Sequence, residues 1–84
     1  MIEQIIKNNI DLLDLVKKNN IDFDKNITNK MIELVINKET ANTKLLKDGI
    51  DITNKLIMLL FKNGISLNSN LIEKIDTTIK FMEA

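Results

Sequence analysis

Ile2-Glu3-Gln4-Ile5-Ile6-Lys7-Asn8-Asn9-Ile10-Asp11-Leu12-Leu13-Asp14-Leu15-Val16-Lys17-Lys18 opens the chain, and its apolar spacing decides the fold class. Ile2, Ile5, Ile6, Ile10, Leu13 and Val16 recur at steps of three and four residues. Such steps gather side chains on one face of an α-helix, whereas a strand would alternate them. Glu3 with Lys7, and Asp14 with Lys18, stand four apart with the acid first, the favourable order for an exposed pair. The pattern predicts a helix over 2–18. Asn8-Asn9 are middling helix formers and permit a kink inside it.

The end of that stretch introduces a motif that recurs. Lys18-Asn19-Asn20-Ile21-Asp22-Phe23 matches Lys47-Asp48-Gly49-Ile50-Asp51-Ile52 and Lys62-Asn63-Gly64-Ile65-Ser66-Leu67, with a weaker copy at Lys7-Asn8-Asn9-Ile10-Asp11-Leu12. A lysine near a helix C-terminus meets the negative end of the dipole. The Asn or Gly behind it adopts the left-handed backbone that closes a helix. Asp24, Thr53 or Asn68 then caps the next helix, with Ile52–Ile57 and Leu67–Ile72 as hydrophobic staples. The copies are unequally spaced, so they read as junction chemistry and not as a solenoid repeat.

These junctions predict the remaining elements. A second helix starts near Lys25 and turns Ile27, Met31, Leu34 and Val35 inward. Asn37-Lys38-Glu39-Thr40 has no apolar residue and favours a break, with Thr40 capping a short helix that carries Ala41, Leu45 and Leu46. The alternative is one helix from 25 to 47. Helices at 53–63 and 68–82 follow, the last with Leu71, Ile75, Ile79 and Met82 inward. No strand pattern competes. The fold class expected is all-α, a small antiparallel bundle of four to five short helices forming a single domain over 1–84.

Composition closes several chemistries. There is no cysteine, histidine or tyrosine, which removes disulfides, thiolate nucleophiles, the usual zinc ligands and the commonest acid–base residue. Asp11 with Asp14, and Asp22 with Asp24, are the candidate paired carboxylates, but they read better as helix-start residues stabilised by the dipole. Asp22-Phe23-Asp24 supplies only the beginning of a calcium loop. No glycine-rich phosphate loop is present. The expectation is a chain without catalytic residues, cofactor, metal or small-molecule substrate.

Twelve cations balance twelve acids, and every cation is lysine. Arginine makes bidentate base and phosphate contacts that lysine cannot copy, so this set argues against nucleic acid. The longest apolar run, Leu56 to Phe61, is far below the ~20 residues that span a bilayer. Glu3 and the lack of an early cationic region do not fit a secretory signal, so a cytoplasmic location is expected. Abundant Ile, Asn and Lys, with no proline, mark an AT-rich coding source.

From Ile52 to Phe61 the apolar positions wrap right round the helix, and a helix apolar on every face must be covered on every face. Either it is the enclosed centre of the fold, or Met58 and Phe61 face a partner or a second copy. Ile72 and Phe81 fall off the inward face of the last helix and join them as candidate interface residues. The functional expectation is a non-enzymatic protein–protein interaction module, free of any cofactor, that binds a host protein or itself as a homodimer. A short AT-biased chain of this kind suits an accessory or inhibitor protein of a phage or mobile element. A structural self-assembly subunit is an alternative.

Two resemblances accompany that reading. Phe61-Lys62-Asn63-Gly64-Ile65-Ser66 and the helix after it resemble the turn of a helix-turn-helix, which implies a small DNA-binding regulator. The usual buried position of the second helix falls on Asn70, however, with the apolar residue displaced to Leu71. That helix offers only Lys74 and Lys80 against Glu73, Asp76 and Glu83, where a DNA reader shows a basic stripe. Lys55-Leu56-Ile57-Met58-Leu59-Leu60-Phe61-Lys62-Asn63-Gly64 is similar to the fourth helix and glycine turn of the death-fold superfamily, including caspase-recruitment domains. That resemblance implies five or six short helices and assembly through complementary charged patches, which are not evident in this sequence.

Overall fold

The computed structural model describes the backbone of residues 2–40 and 43–83, with side chains described as far as 76. Four α-helices carry the fold: α1 (Ile2–Lys18), α2 (Lys25–Ile36), α3 (Thr43–Lys62) and α4 (Ser69–Glu83), with one 3₁₀ turn at Lys38–Thr40. There is no strand among the described residues. The five- or six-helix count implied by the death-fold resemblance is not met. α1 packs chiefly along α3, α2 leans on α3 and α1, and α4 lies against α1.

The core follows from the helical period with two corrections. Ile2, Ile5, Leu13 and Val16 of α1 are buried as expected, and so is Leu12. Ile10, expected inward, is 44% exposed. The buried arc of α1 is centred nearer Asn9, and Ile10 lies one residue round to its side. Val35 of α2 is likewise 46% exposed, because Ile27, Met31 and Leu34 already fill the inward face. From α3, Ile52, Leu56 and Leu60 are sealed, and Ile75 joins from α4. Leu71 is half-buried, while Ile79, Phe81 and Met82 lie outside the described side chains.

The recurrent motif has two outcomes. At Asn20 (φ 56°) and Gly64 (φ 72°) the backbone is left-handed and the helix closes. Asn20 N–H donates to the Lys17 carbonyl and Ile21 N–H to that of Val16, each at 3.1 Å. Gly64 N–H reaches Phe61 at 3.1 Å and Ile65 N–H reaches Leu60 at 3.0 Å. Both pairs are Schellman closures, which satisfy carbonyls a helix end would leave bare. Asparagine side chains reinforce three helix ends: Asn19 to Leu15 O, Asn37 to Glu33 O and Asn63 to Leu59 O, at 2.8 to 2.9 Å. The following helices start on side-chain caps. Asp24 Oδ1 accepts from Asn26 N–H at 2.9 Å, and Asn68 Oδ1 accepts from Asn70 N–H at 2.7 Å.

The other two copies lie inside helices. Over 47–52, where a junction and a new helix at 53–63 are expected, α3 runs through without interruption. Likewise α1 continues across Asn8-Asn9, where the sequence permits a kink. The reason is that these two copies meet. Asn9 is fully buried and donates its side-chain amide to the Gly49 carbonyl at 3.1 Å. The Thr53 hydroxyl donates to Asn9 Oδ1, with the Gly49 carbonyl also 3.0 Å away. A Cβ on Gly49 would sit 2.7 Å from Ile5 Cγ2, so glycine permits the close approach of α1 to α3. Glycine inside a helix costs about 1 kcal/mol against alanine. Here the close contact and a satisfied polar cluster offset it. Thr53 is therefore a buried hydrogen-bonding residue, not a helix cap.

The break expected at 37–40 does form. Asn37 ends α2 and the 3₁₀ turn follows. Thr40 does not cap the next helix in the way expected. Its hydroxyl donates backward to the Asn37 carbonyl at 3.2 Å, and Leu45 and Leu46 belong to the long α3.

Candidate interaction surface

The outer side of α2 is unusually apolar. Ile32 and Ile36 are one turn apart and Val35 lies beside them, so all three share one flank. Ile32 is half exposed and Ile36 is 72% exposed. Val35 also faces α1 across an open groove lined by Glu3, Ile6, Lys7, Ile10, Val35 and Lys38. Its lining combines apolar residues of both helices with charged residues of both signs. Ile10 and Val35, the two residues displaced from their expected core positions, add to the apolar surface that Ile32 and Ile36 form.

A second, smaller apolar surface lies on α3. Met58 is 60% exposed and Phe61 is 59% exposed. They stand three residues apart, on the same side of the helix and away from buried Ile52, Leu56 and Leu60. Ile57 and Leu59 are half-buried at the margins of the core. Of the two readings open for 52–61, the structure thus leaves two apolar positions outward. Ile72 is exposed on α4, a separate helix, and Phe81 lies outside the described side chains. The sequence places Ile10 and Val35 in the core and names neither Ile32 nor Ile36. Their signal was present, because Met31-Ile32 and Leu34-Val35-Ile36 put apolar residues well beyond one helical stripe.

The polar candidates are arranged differently. Asp11 and Asp14 share an open groove with Leu15 and Lys18 of α1, and with Asn68, Asn70, Leu71 and Lys74. Asp24 serves as the cap of α2, and Asp22 is an exposed residue of the preceding loop. No cluster of three or more acidic, histidine or cysteine residues suited to a metal ion occurs among the described residues. At the α3–α4 turn, Asn70 is exposed and Leu71 is half-buried, so the displaced register seen in the sequence persists in space. No helix of the described residues is long and apolar enough to cross a membrane. Comparison with protein-family models, curated proteins and solved structures finds no match to this chain in any of the three.

Proposed function

We propose that this chain is a non-catalytic protein-binding module, a small helical bundle that acts by holding a partner protein or a second copy. An accessory or inhibitor-like role follows from that mode of action. The observation that carries the reading is the grouping of Ile32, Val35 and Ile36 on one flank of α2, with Ile10 across the groove. Single exposed apolar residues are ordinary on protein surfaces, and carry no message. A contiguous set is different, because water penalises it by about 25 cal/mol for each Å² left uncovered. Met58 and Phe61 add a second place of contact on α3.

The test is cross-linking in the source cell followed by mass spectrometry, comparing wild type with Ile36→Asp and Phe61→Asp. The reading expects a defined cross-linked species that at least one variant loses while its far-ultraviolet circular dichroism stays unchanged. The same cross-linking pattern from all three proteins would refute it.

A further inference from the structure

We infer that Asn63-Gly64 is a site of spontaneous covalent modification, where the asparagine converts to aspartate and isoaspartate and loosens the turn between α3 and α4. This chemistry is independent of any partner.

The chain has twelve asparagines, and only Asn63 is followed by glycine. The reaction needs the backbone nitrogen of the next residue to reach the asparagine Cγ. A side chain on that next residue obstructs the approach, and glycine has none. Asn63 and Gly64 are both exposed and lie just beyond the end of α3. A Cβ on Gly64 would meet nothing within 4 Å, so there is room for a ring to form. At Asn68-Ser69 the following residue is the next smallest, but the serine carries a side chain and Asn68 Oδ1 is held at 2.7 Å by the Asn70 N–H. Asp48-Gly49 could close the same ring with loss of water. It lies inside α3, where the helix fixes the backbone and Gly49 is buried.

The reaction involves no change of oxidation state and needs only water. Gly64 N gives its proton to solvent, bonds to Asn63 Cγ and closes a succinimide ring. The Cγ–Nδ2 bond then breaks, and the nitrogen leaves as ammonia with a proton returned from solvent. Water next opens the ring. Attack at Cγ gives aspartate with the normal main chain. Attack at the main-chain carbonyl carbon of residue 63 gives isoaspartate, with the chain routed through Cγ. In either case the electron pair of the broken bond and a proton return to the ring nitrogen.

The fold restrains both reacting groups. Asn63 Nδ2 donates to the Leu59 carbonyl at 2.8 Å, and Gly64 N–H donates to that of Phe61 at 3.1 Å. Both bonds must open first, so the rate follows local opening at the end of α3. The product cannot remake the closure. Aspartate has no donor for the Leu59 carbonyl and sets a negative charge at the negative end of the helix dipole. Isoaspartate adds one atom to the main chain, which moves the Gly64 and Ile65 N–H groups out of register with the Phe61 and Leu60 carbonyls. Ile65 and Leu67 pack on the core from this turn, so the loosening reaches the start of α4.

Ageing the full chain in mildly alkaline buffer, native and in guanidinium chloride, tests the inference. Fragmenting the intact chain in a mass spectrometer locates each converted asparagine. Asn63 should convert before every other asparagine in both conditions. With two hydrogen bonds lost, the unfolded chain should react about 30-fold faster than the native one. In denaturant, Gly64→Ala should slow conversion at least about 10-fold, a comparison that its effect on folding cannot disturb. Asn63→Asp, made directly, should lower Tm by about 4 °C or more. Faster conversion at another asparagine overturns the inference. So does a native rate equal to that in denaturant, or a native chain that never converts. A Tm unchanged by Asn63→Asp overturns the loosening of the turn.

Discussion

Asn9 and Gly49, forty residues apart in sequence, are joined in the interior by a hydrogen bond from the asparagine amide to the glycine carbonyl. The bond fixes the height of α1 against α3, because an apolar surface tolerates sliding and a buried donor–acceptor pair does not. Replacing Asn9 with alanine removes that bond and leaves Thr53 without its nearest acceptor. The expected loss is about 2 kcal/mol, read as a lower urea midpoint. A double-mutant cycle with Thr53→Val should show coupling of about 1 kcal/mol. Strict additivity would mean that the cluster does not act as a unit.

Gly49→Ala sets two opposed effects against each other. Alanine favours the helix by about 1 kcal/mol, while its Cβ would press on Ile5 Cγ2 at 2.7 Å. That methyl branches directly from the Ile5 Cβ, so it cannot swing aside as a long side chain would. Net destabilisation of about 1–2 kcal/mol is expected. A stabilised variant in thermal unfolding would show that α1 and α3 separate easily here.

The two left-handed closures give opposite responses. Gly64→Ala should cost about 1 kcal/mol, since its Cβ meets no neighbour and the penalty is purely backbone. Asn20→Gly should be neutral to slightly stabilising, because it relieves a positive φ on a residue with a side chain. Equal effects at the two sites would contradict the assigned backbone geometry. Denaturant midpoints of the two variants, measured side by side, decide it.

Asp24→Ala removes the acceptor for the Asn26 N–H at the start of α2. The expected cost is about 1 kcal/mol of stability. Asp24→Asn, which keeps a cap oxygen, should recover most of it. If both variants unfold alike, the cap bond contributes little.

Ile36→Asp probes the exposed side of the same helix. With the side chain 72% in water, stability should change by no more than about 0.5 kcal/mol. A large drop in Tm at concentrations where the chain is monomeric would mean that Ile36 supports the fold itself.

Much of this architecture was legible in the sequence, and its failures have one cause. The span of α1, the start of α2, the caps at Asp24 and Asn68, and the closures at Asn20 and Gly64 all depend on residues close in sequence. Lys47-Asp48-Gly49-Ile50 carries the same local signals as Lys62-Asn63-Gly64-Ile65, yet it lies inside a helix. What separates them is Ile5 and Asn9, which no local window contains. Ile10 and Val35 failed for a related reason. Periodicity finds an apolar arc, but the neighbouring helices decide which part of that arc is covered. Met58 and Phe61 were legible as outward residues because Ile52, Leu56 and Leu60 already define the opposite side.

The uninterrupted course of α3 also bears on how the chain reaches its native state. Its contacts with α1 close loops of some forty residues, so α1 cannot complete its burial until the Gly49 and Thr53 stretch of α3 has left the ribosome. A nascent chain halted after α2 would leave Leu12, Val16 and Leu34 in water. Synthesis of the second half is thus what commits the first half to its structure.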